Sequence, residues 1–548
     1  MKMEDFANKV VYQIYPRSFQ DTDGDGFGDL RGIVERLDYL EDLGVDYLWL
    51  NPFFVSPQKD NGYDIADYRQ IDPRFGTMED LDALIQAAQE RHIGLMFDMV
   101  FNHTSVEHEW FQKALAGDEK YKNYYIFKKP VDGHMPNNWV SKFGGPVWEY
   151  VPVLGEYYLH LYDVSQADLN WDNPDVRQEC ADIVKFWMDK GVKGFRFDVV
   201  NNMSKGSFED DFIGDGRRFY SDGPHIHEYL HGLNRASFGQ DPSIMTVGEM
   251  SSTSLENCQK YANPEQEELG MVFNFHHLKV DYENKQKWTL KPFDFMELKE
   301  LFNTWQTGMQ ETNSNQALFW NCHDQPRSLS RFGDDKNYPV ESAKMLAMAL
   351  HMMRGTPYIY QGEEIGMTNN GFDSIEQYRD VESTNYYEIL KAEGKDEDEI
   401  LAILGAKSRD NARSPMQWTA GKNAGFSDTE PWIRVNPNHA TINVEAAIAD
   451  PDSIYSFYKK LIRLRKESDT IQHGTYVPLL EEHERVLAYK RVGKDEEIIV
   501  LCNFYGEETT VSLHTEADML LSNYADFQMR DGEVTLRPYE AVVLRKAV

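Results

Sequence analysis

Short β-like runs alternate with amphipathic helical segments through most of the chain, and this alternation restricts the fold more than any other feature. Between Pro174 and Gly191, for example, apolar residues recur at helical spacing, and the two flanking residues are helix start and stop signals. The candidate strands are residues 10–15, 47–50, 94–100, 194–199, 245–249, 271–275, 317–321 and 357–360. Eight strands separated by helices pair in parallel, and eight strands close a barrel. The sequence predicts an α/β fold, a TIM (β/α)8 barrel, with an open doubly wound sheet as the alternative.

The alternation is interrupted after the third strand and ends near residue 470. Residues 104–173 are rich in Trp, Tyr, Pro and Gly and too long for a plain loop, so they predict a small inserted domain. Short runs with period-two alternation after residue 470 predict a C-terminal antiparallel β-sandwich. We therefore expect a barrel formed by residues 1–103 and 174–470, an inserted domain of residues 104–173 and a C-terminal domain of residues 471–548.

The chain carries a large excess of negative charge. Its 548 residues include 56 Lys and Arg and 91 Asp and Glu, which gives a formal net charge of −35. A field of this sign repels polyanions, so we expect no nucleic-acid partner and no anionic membrane surface, although a small anion can still bind in a local basic pocket. No apolar run is long enough for a membrane span, and the amino-terminal sequence does not resemble a secretory signal.

The four cysteines are Cys180, Cys258, Cys322 and Cys502, and they form no CxxC pair. Scattered cysteines in apolar or helical contexts are typical of small buried hydrophobic residues and not of a disulfide framework. With neither a signal nor a span in the sequence, they favour a cytoplasmic protein. We expect a monomer or a weak homo-oligomer whose partner is a small molecule.

Acidic residues follow the predicted strands at their carboxyl ends, where a barrel of this kind has its active site. The third strand ends in DMVFNH, the fourth in GFRFDVVNN, the fifth in TVGEM and the seventh in FWNCHDQPR. A single carboxylate in such a place is usually a helix cap or a solvated acid. Four strand ends that carry Asp98, Asp198, Glu249 and Asp324 within apolar runs instead predict converging carboxylates, which glycoside hydrolysis requires.

These four segments, in the same order, resemble the four sequence regions of the α-amylase family of glycoside hydrolases, and the resemblance covers essentially the whole chain. It implies that Asp198 is the nucleophile, Glu249 the general acid/base and Asp324 a third carboxylate that binds sugar hydroxyls, with no cofactor in the reaction. Arg196 lies on the same strand face as Asp198, and its charge would keep that carboxyl ionised, whereas Glu249 needs a raised pKa to keep its proton. The substrate-binding residues that the resemblance implies are Asp60, Tyr63, Asp98, His103, Phe143, Arg196, His323 and Arg413.

Further segments narrow the resemblance to one branch of the family. QADLN at residues 166–170 and Val199, directly after the implied nucleophile, resemble the oligo-1,6-glucosidase branch. Residues 214–231, 246–258 and 273–288 are similar to branch members that act on trehalose 6-phosphate. The resemblance implies a retaining, exo-acting α-glucosidase that hydrolyses this phosphorylated disaccharide to glucose and glucose 6-phosphate through a glucosyl-enzyme. The alternatives are an oligo-1,6-glucosidase or dextran glucosidase acting on isomaltose-type α-1,6-glucosides, a transglycosylase, and a catalytically inactive relative that binds partners.

The segment 273–288 is also unusually basic for so acidic a chain. It carries five Lys and His side chains within twelve residues. A phosphate group needs several donors and positive charges, which Lys and protonated His supply. We expect His276, Lys279 and Lys287 to bind the phosphate, with Arg217 and Arg218 as weaker candidates. The alternative is a basic loop that balances nearby acids.

The segment DTDGDGFGDL resembles the start of an EF-hand loop, with Gly26 at the turn. Its twelfth position is Gly32, so the usual bidentate Glu is missing. Four carboxylates so close together repel one another without a cation, and the resemblance implies Ca²⁺ here because metal-binding members of the α-amylase family use this loop for that ion. We expect a structural Ca²⁺ or Mg²⁺, with an empty acidic turn as the alternative. The predicted ligands are Asp21, Asp23, Asp25, the Phe27 carbonyl and Asp29.

Overall fold

The computed structural model describes residues 6–513 and 515–548. Its central sheet has eight strands: β1 (Val11–Ile14), β2 (Tyr47–Leu50), β3 (Gly94–Met99), β4 (Gly194–Phe197), β5 (Met245–Glu249), β6 (Met271–Phe273), β7 (Ala317–Leu318) and β8 (Thr356–Tyr360). Strands β1 to β6 pair in parallel in chain order, and β8 pairs with both β7 and β1. A parallel bridge between Val272 and Gln316 joins β6 to the residues before β7, so the sheet closes. The predicted TIM barrel is confirmed, and the open sheet is wrong.

A helix follows every barrel strand and covers its outer side. These helices are Leu37–Leu43, Met78–Glu90, Pro174–Asp189, Ile226–Ala236, Leu255–Tyr261, Phe295–Glu311, Pro339–His351 and Ile454–Glu467. Pro174–Asp189 shows why they form: Asn173 caps its amino end, Pro174 occupies the first turn, and Ile183 and Trp187 are buried on one face. Further helices are Leu30–Glu35, Glu109–Leu115, Glu119–Lys122, Arg217–Tyr220, Ser328–Phe332, Val381–Ala392, Glu397–Lys407, Asp410–Arg413, Val444–Ala449 and Asp469–His473.

The connection after β3 forms the small inserted domain that the sequence predicts. Strands Phe127–Lys128, Trp148–Val151 and Glu156–Leu159 form an antiparallel sheet, and His103–Ser105 pairs with Gln166–Asp168. Its hydrophobic cluster contains Trp139, Trp148 and Leu159, and it also includes Tyr220 from the connection after β4. The inserted domain and the β4 connection therefore share one core. A separate hairpin after β2 pairs Phe54–Val55 with Asp67–Ile71.

The C-terminal part is an antiparallel β-sandwich, as predicted. One sheet contains strands Thr475–Leu479, Val486–Val492, Glu496–Asn503, Asp518–Ser522 and Ala541–Ala547, and the other contains Thr509–Ser512, Met529–Arg530 and Glu533–Leu536. Apolar side chains of both sheets, such as Val486, Leu501 and Val534, pack together between them. The residue bounds given above for the three domains stay a prediction. Within the described part of the chain, no helix combines the length and the apolar character that crossing a membrane requires.

Candidate active site

A cavity of about 320 Å³ opens at the carboxyl ends of the barrel strands. Asp198 follows β4, Glu249 ends β5 and Asp324 follows β7, and all three side chains line this cavity. They come from distant parts of the chain because the carboxyl ends of parallel barrel strands meet at one face. Asp60, Tyr63, His103 and Phe143, four of the predicted substrate-binding residues, line the same cavity.

The Arg196 guanidinium joins the carboxylates of three neighbouring strands. Its Nη1 lies 2.8 Å from Asp98 Oδ1 and 2.6 Å from Asp198 Oδ1, and its Nη2 lies 2.5 Å from Glu249 Oε2. The hydroxyl of Tyr63 donates to Asp98 Oδ2 at 2.8 Å. Asp98 and Arg196 lie beneath the cavity wall and hold the carboxyls of Asp198 and Glu249 in place, while the backbone N–H of Val199 donates to Glu249 Oε2 at 3.2 Å.

Burial changes the ionisation of this cluster. It raises the pKa of Asp198 well above the ordinary value, and the Glu249 charge and hydrogen bond act in the same direction, against Arg196. Burial likewise raises the pKa of Asp98 to about 6. The expected effect of Arg196 on Asp198 is present, but desolvation outweighs it.

Asp324 has the opposite environment. Burial opposes its ionisation, but the neighbouring His323 and the guanidinium groups of Arg409 and Arg413 outweigh burial and lower the pKa of Asp324 below its ordinary value. Arg413 Nη2 lies 3.0 Å and Arg409 Nη1 3.3 Å from Asp324 Oδ1. Burial lowers the pKa of His323 to about 3, so its imidazole is neutral. Its Nδ1 accepts from Gln13 Nε2, so its Nε2 carries the proton and donates to Asp324 Oδ2 at 3.2 Å.

Two stacked aromatic rings and several buried polar side chains form the closed end of the cavity. The Tyr63 ring lies parallel to the His323 imidazole, with ring centroids 5.2 Å apart. Gln166 Nε2 donates to Asp60 Oδ2 at 2.9 Å and lies 3.3 Å from His103 Nε2. Burial raises the pKa of Asp60 to about 7 and lowers the pKa of His103 to about 4. These side chains present hydrogen-bonding groups at fixed positions beside an aromatic wall, an arrangement suited to a sugar ring.

The wall beside Glu249 carries basic side chains. Lys142 from the inserted domain, Arg217 from the β4 connection and Lys279 after β6 line the cavity. Lys142 Nζ donates to Ser251 Oγ at 3.3 Å, and Arg217 Nη1 donates to Ser252 Oγ at 3.2 Å. Burial is the main cause that lowers the pKa of Lys142 to about 7. The neighbouring charges of Arg217 and Lys279 also lower this pKa, whereas the charge of Asp215 raises it.

The predicted phosphate contacts do not all reach the cavity. Lys279 and Lys287 line it, but Lys287 Nζ also lies 2.8 Å from Glu382 Oε2. His276 is not among the lining residues, and its ring packs on Trp305 with centroids 4.9 Å apart. Arg217, a weaker sequence candidate, is a lining residue.

Sequence reasoning missed the basic lining residues Lys142 and Arg409 and placed Arg413 too close to the cavity. Arg409 lines the cavity with its guanidinium 5.5 Å from the Phe143 ring centroid, whereas the predicted Arg413 lies behind Asp324. Both arginines belong to one short segment, and only the fold shows which one faces the cavity. Lys142 directly precedes the predicted substrate-binding residue Phe143, and this position in the sequence is the signal that could have placed Lys142 at the cavity.

The acidic loop before the first helix brings three carboxylates together. One oxygen from each of Asp21, Asp23 and Asp29 lies within 4.8 Å of the others. Asp25 is outside this group, and its Oδ1 accepts from the Phe27 N–H at 2.8 Å. Three converging carboxylates fit a hard cation with oxygen ligands.

Comparison with known proteins assigns the family. Residues 13–474 match the model of the α-amylase catalytic domain. The chain belongs to the α-amylase family. Residues 486–543 match the C-terminal domain of the α-amylase SusG. The chain is thus an α-amylase-family glycoside hydrolase, as its strand-end motifs indicate.

Three relatives match almost the whole chain. Trehalose-6-phosphate hydrolase of Bacillus subtilis is 52% identical over 98% of this chain and 97% of its own length. Oligo-1,6-glucosidase of Bacillus cereus is 47% identical over 100% of both chains. A crystal structure of Bacillus licheniformis trehalose-6-phosphate hydrolase has a TM-score of 0.97 at 52% identity and covers 99% of this chain and 100% of that chain.

Proposed function

We propose that this enzyme is a retaining, exo-acting α-glucosidase that hydrolyses trehalose 6-phosphate to glucose and glucose 6-phosphate. The observation that carries the proposal is a single cavity in which three carboxylates meet a wall of basic side chains. The carboxylates suit glycosidic bond cleavage, and the basic wall suits a phosphorylated leaving group. The identity of 52% to trehalose-6-phosphate hydrolases supports the same substrate.

In this mechanism Asp198 attacks the anomeric carbon of the unphosphorylated glucose, and Glu249 donates its proton to the bridging oxygen. Glucose 6-phosphate leaves, and the glucosyl group stays bonded to the Asp198 oxygen. Glu249, now ionised, takes a proton from water, which attacks the anomeric carbon and releases glucose. One guanidinium contacts both carboxyls, a closeness that supports retention, because retaining pairs lie about 5 Å apart and inverting pairs are wider.

The remaining site residues bind or position the glucosyl unit in this proposal. Asp324, ionised by its cationic neighbours, accepts hydrogen bonds from sugar hydroxyls. Tyr63 provides the stacking surface. The side chains that complete the closed end are Asp60, His103, Phe143 and Arg409, and those that support it from behind are Asp98, Arg196, His323 and Arg413. A closed end of this kind accepts one terminal glucose and supports exo-action.

For the phosphate we propose Lys279 as a direct contact, since it lines the cavity. Lys287 also faces the cavity, but Glu382 neutralises its charge, so we assign it a smaller contribution. His276 packs behind this segment, and we assign it a supporting role.

The second candidate, an oligo-1,6-glucosidase, is favoured by the identity of 47% to the Bacillus cereus enzyme. The two functions differ in the leaving group, so one assay separates them. We expect kcat/KM on trehalose 6-phosphate to exceed that on trehalose and on isomaltose by at least two orders of magnitude, because the phosphate adds charge-assisted hydrogen bonds. A higher kcat/KM on isomaltose would replace the proposed function with the second candidate, and oligosaccharide products at high substrate concentration would indicate a transglycosylase.

Three further properties complete the proposal. We propose that Asp21, Asp23 and Asp29 bind Ca²⁺ or Mg²⁺, with Asp25 and the Phe27 carbonyl as additional ligands after a small rearrangement. All four cysteines are buried free thiols, which supports a cytoplasmic location. We also propose that the enzyme is a monomer or a weak homo-oligomer.

A further inference from the structure

We propose that Lys142 of the inserted domain and Arg217 of the β4 connection form, together with Lys279, the site that binds the phosphoryl group. Two parts of the chain outside the barrel strands would then determine the preference for a phosphorylated substrate. This inference rests on the proposed function. It assigns substrate specificity to Lys142, which the sequence did not indicate, and to Arg217, which was only a weaker candidate for phosphate binding.

The first argument is charge. Among the described residues, no carboxylate oxygen lies within 4.0 Å of the Nζ of Lys142 or Lys279, although the chain has a net charge of −35. Arg217 has one partner, Asp215, at 3.0 Å on the exposed side. On the glucose side of the cavity, by contrast, Arg409 is 2.6 Å from Asp380. Lys142 is half-buried, whereas Arg217 and Lys279 are exposed. An unpaired cation that is partly shielded from water is unfavourable, and an anionic ligand removes that penalty at Lys142.

The second argument is preorganisation. The segments that carry Lys142 and Arg217 are joined before any ligand binds. The Trp139 ring lies between Phe208 and Phe219, at centroid distances of 5.4 and 5.7 Å. The Val140 N–H donates to the Asp215 carbonyl at 3.0 Å, and Trp139 Nε1 donates to the Glu209 carbonyl at 2.8 Å. The backbone segments that carry the two cations are therefore already joined, which lowers the entropy lost on binding.

The third argument is position relative to the chemistry. Ser251 and Ser252 follow Glu249 by two and three residues, and they bind Lys142 and Arg217. Glu249 protonates the bridging oxygen in the proposed mechanism, so the leaving glucose lies beside this wall. The three cations therefore face the phosphorylated sugar, and the glucosyl unit lies at the opposite, closed end of the cavity.

The test compares charge-removing variants on a charged and a neutral substrate. We expect Lys142→Met and Arg217→Gln each to raise KM for trehalose 6-phosphate at least tenfold, with kcat/KM on p-nitrophenyl α-glucoside changed less than twofold. Matched controls are Lys285→Met, an exposed lysine outside the cavity, and Arg218→Gln, whose side chain pairs with Asp211 at 3.1 Å outside the cavity. Both controls should keep the wild-type KM on both substrates.

The outcomes separate this inference from the function on which it rests. If the wild-type enzyme does not prefer trehalose 6-phosphate to trehalose, the proposed function is wrong. If the wild type shows the preference and Lys142→Met and Arg217→Gln keep it, the inference is wrong and the function stands. An equal loss on both substrates also overturns the inference, because it indicates a structural effect. Lys142→Arg, which restores the positive charge, guards against misfolding and should recover most of the lost affinity.

The pH dependence of KM gives a second, independent readout. Burial lowers the pKa of Lys142 to about 7, with Arg217 and Lys279 lowering it and Asp215 raising it. Lys142 is therefore charged below this pH and loses its charge as pH rises, whereas the phosphate is a dianion above about pH 6. We expect KM for trehalose 6-phosphate to increase above pH 7 in the wild type and to stay flat in Lys142→Arg, because a guanidinium remains charged. Identical profiles for the two enzymes would overturn the role of Lys142.

Discussion

The raised pKa of the Asp198 carboxyl determines how this site responds to pH. Burial, reinforced by Glu249, raises the pKa of Asp198, and the nucleophile reacts only when ionised. Protonation on lowering the pH therefore inactivates Asp198 at a higher pH than for an ordinary carboxyl, whose pKa is about 3.9. Asp324 stays ionised throughout, because its pKa is lowered.

We therefore predict that kcat/KM for a neutral aryl α-glucoside falls on the acid side with an apparent pKa above the ordinary value of a carboxyl group. A neutral substrate is required because the phosphate of trehalose 6-phosphate itself titrates near pH 6. The measurement is a pH profile from 4 to 8. An acid limb near pH 4 would show that Arg196 outweighs burial, as the sequence analysis expected.

At the residue scale, the sequence predicts the carboxylates at the strand ends, but it does not predict the side chains that reach the cavity from other segments. Asp198, Glu249 and Asp324 could be assigned because a closed barrel necessarily brings its strand ends together. Lys142 could not, since its place at the cavity depends on how the inserted domain folds over the barrel. Arg409 and Arg413 show the same limit within one segment, because spacing alone does not give the direction of either side chain.

At the scale of elements, the hydrophobic pattern locates every barrel strand but overestimates the length of several. The fourth strand was expected to end at Val199 and ends at Phe197, and the seventh was expected to end at Asn321 and ends at Leu318. In both places the chain leaves the sheet while its side chains stay buried, so apolar character continues beyond the last ladder hydrogen bond. Val199 itself has φ of 35°, a strained value for a β-branched residue directly beside the carboxyl pair.

The connection after β4 depends on one glycine. Gly216, directly before Arg217, has φ of 93°, and an added Cβ would lie 2.3 Å from Trp139 Cγ. We predict that Gly216→Ala separates the β4 connection from the inserted domain, raises KM for trehalose 6-phosphate several-fold and destabilises the enzyme by about 1–3 kcal/mol. Steady-state kinetics and thermal unfolding measure the two effects.

Gly232 provides the matched control. It lies within the helix Ile226–Ala236, and nothing lies within 4 Å of an added Cβ. Gly232→Ala should leave KM unchanged and raise stability by up to about 1 kcal/mol, because Ala has the higher helix propensity. If Gly216→Ala behaves like Gly232→Ala, the contact with Trp139 does not position Arg217.

For the whole molecule, the order of strands and helices was sufficient to predict a barrel, an insertion after the third strand and a β-sandwich, because connection rules leave few other topologies. It did not reveal that the inserted domain and the β4 connection share a core through Trp139 and Tyr220. That contact lies between segments about 80 residues apart, and no periodic pattern records it. The proposed phosphate site arises at this contact, so the substrate preference is a property of how the parts assemble.

The acidic loop links distant parts of the chain in the same way. Asp21 Oδ2 accepts from Ser427 Oγ at 2.6 Å, and the Asp21 N–H donates to the Phe426 carbonyl, so a cation at this loop would strengthen a contact between residues 406 positions apart. A ligand that binds only the folded state stabilises it by about 2.7 kcal/mol at a hundredfold excess over its Kd.

We predict that millimolar Ca²⁺ raises Tm by several degrees relative to enzyme in chelator, and that Asp23→Asn removes this shift, because it removes a ligand charge. Asp23 is the exposed member of the group and, among the described residues, accepts only from a backbone N–H within the loop, so the substitution, which also relieves charge repulsion, should not lower Tm in chelator. Since the loop contributes no residue to the active-site cavity, kcat/KM should be the same with and without the cation. A Tm that does not respond to Ca²⁺ or Mg²⁺ would leave the loop as an acidic turn held by its own backbone hydrogen bonds.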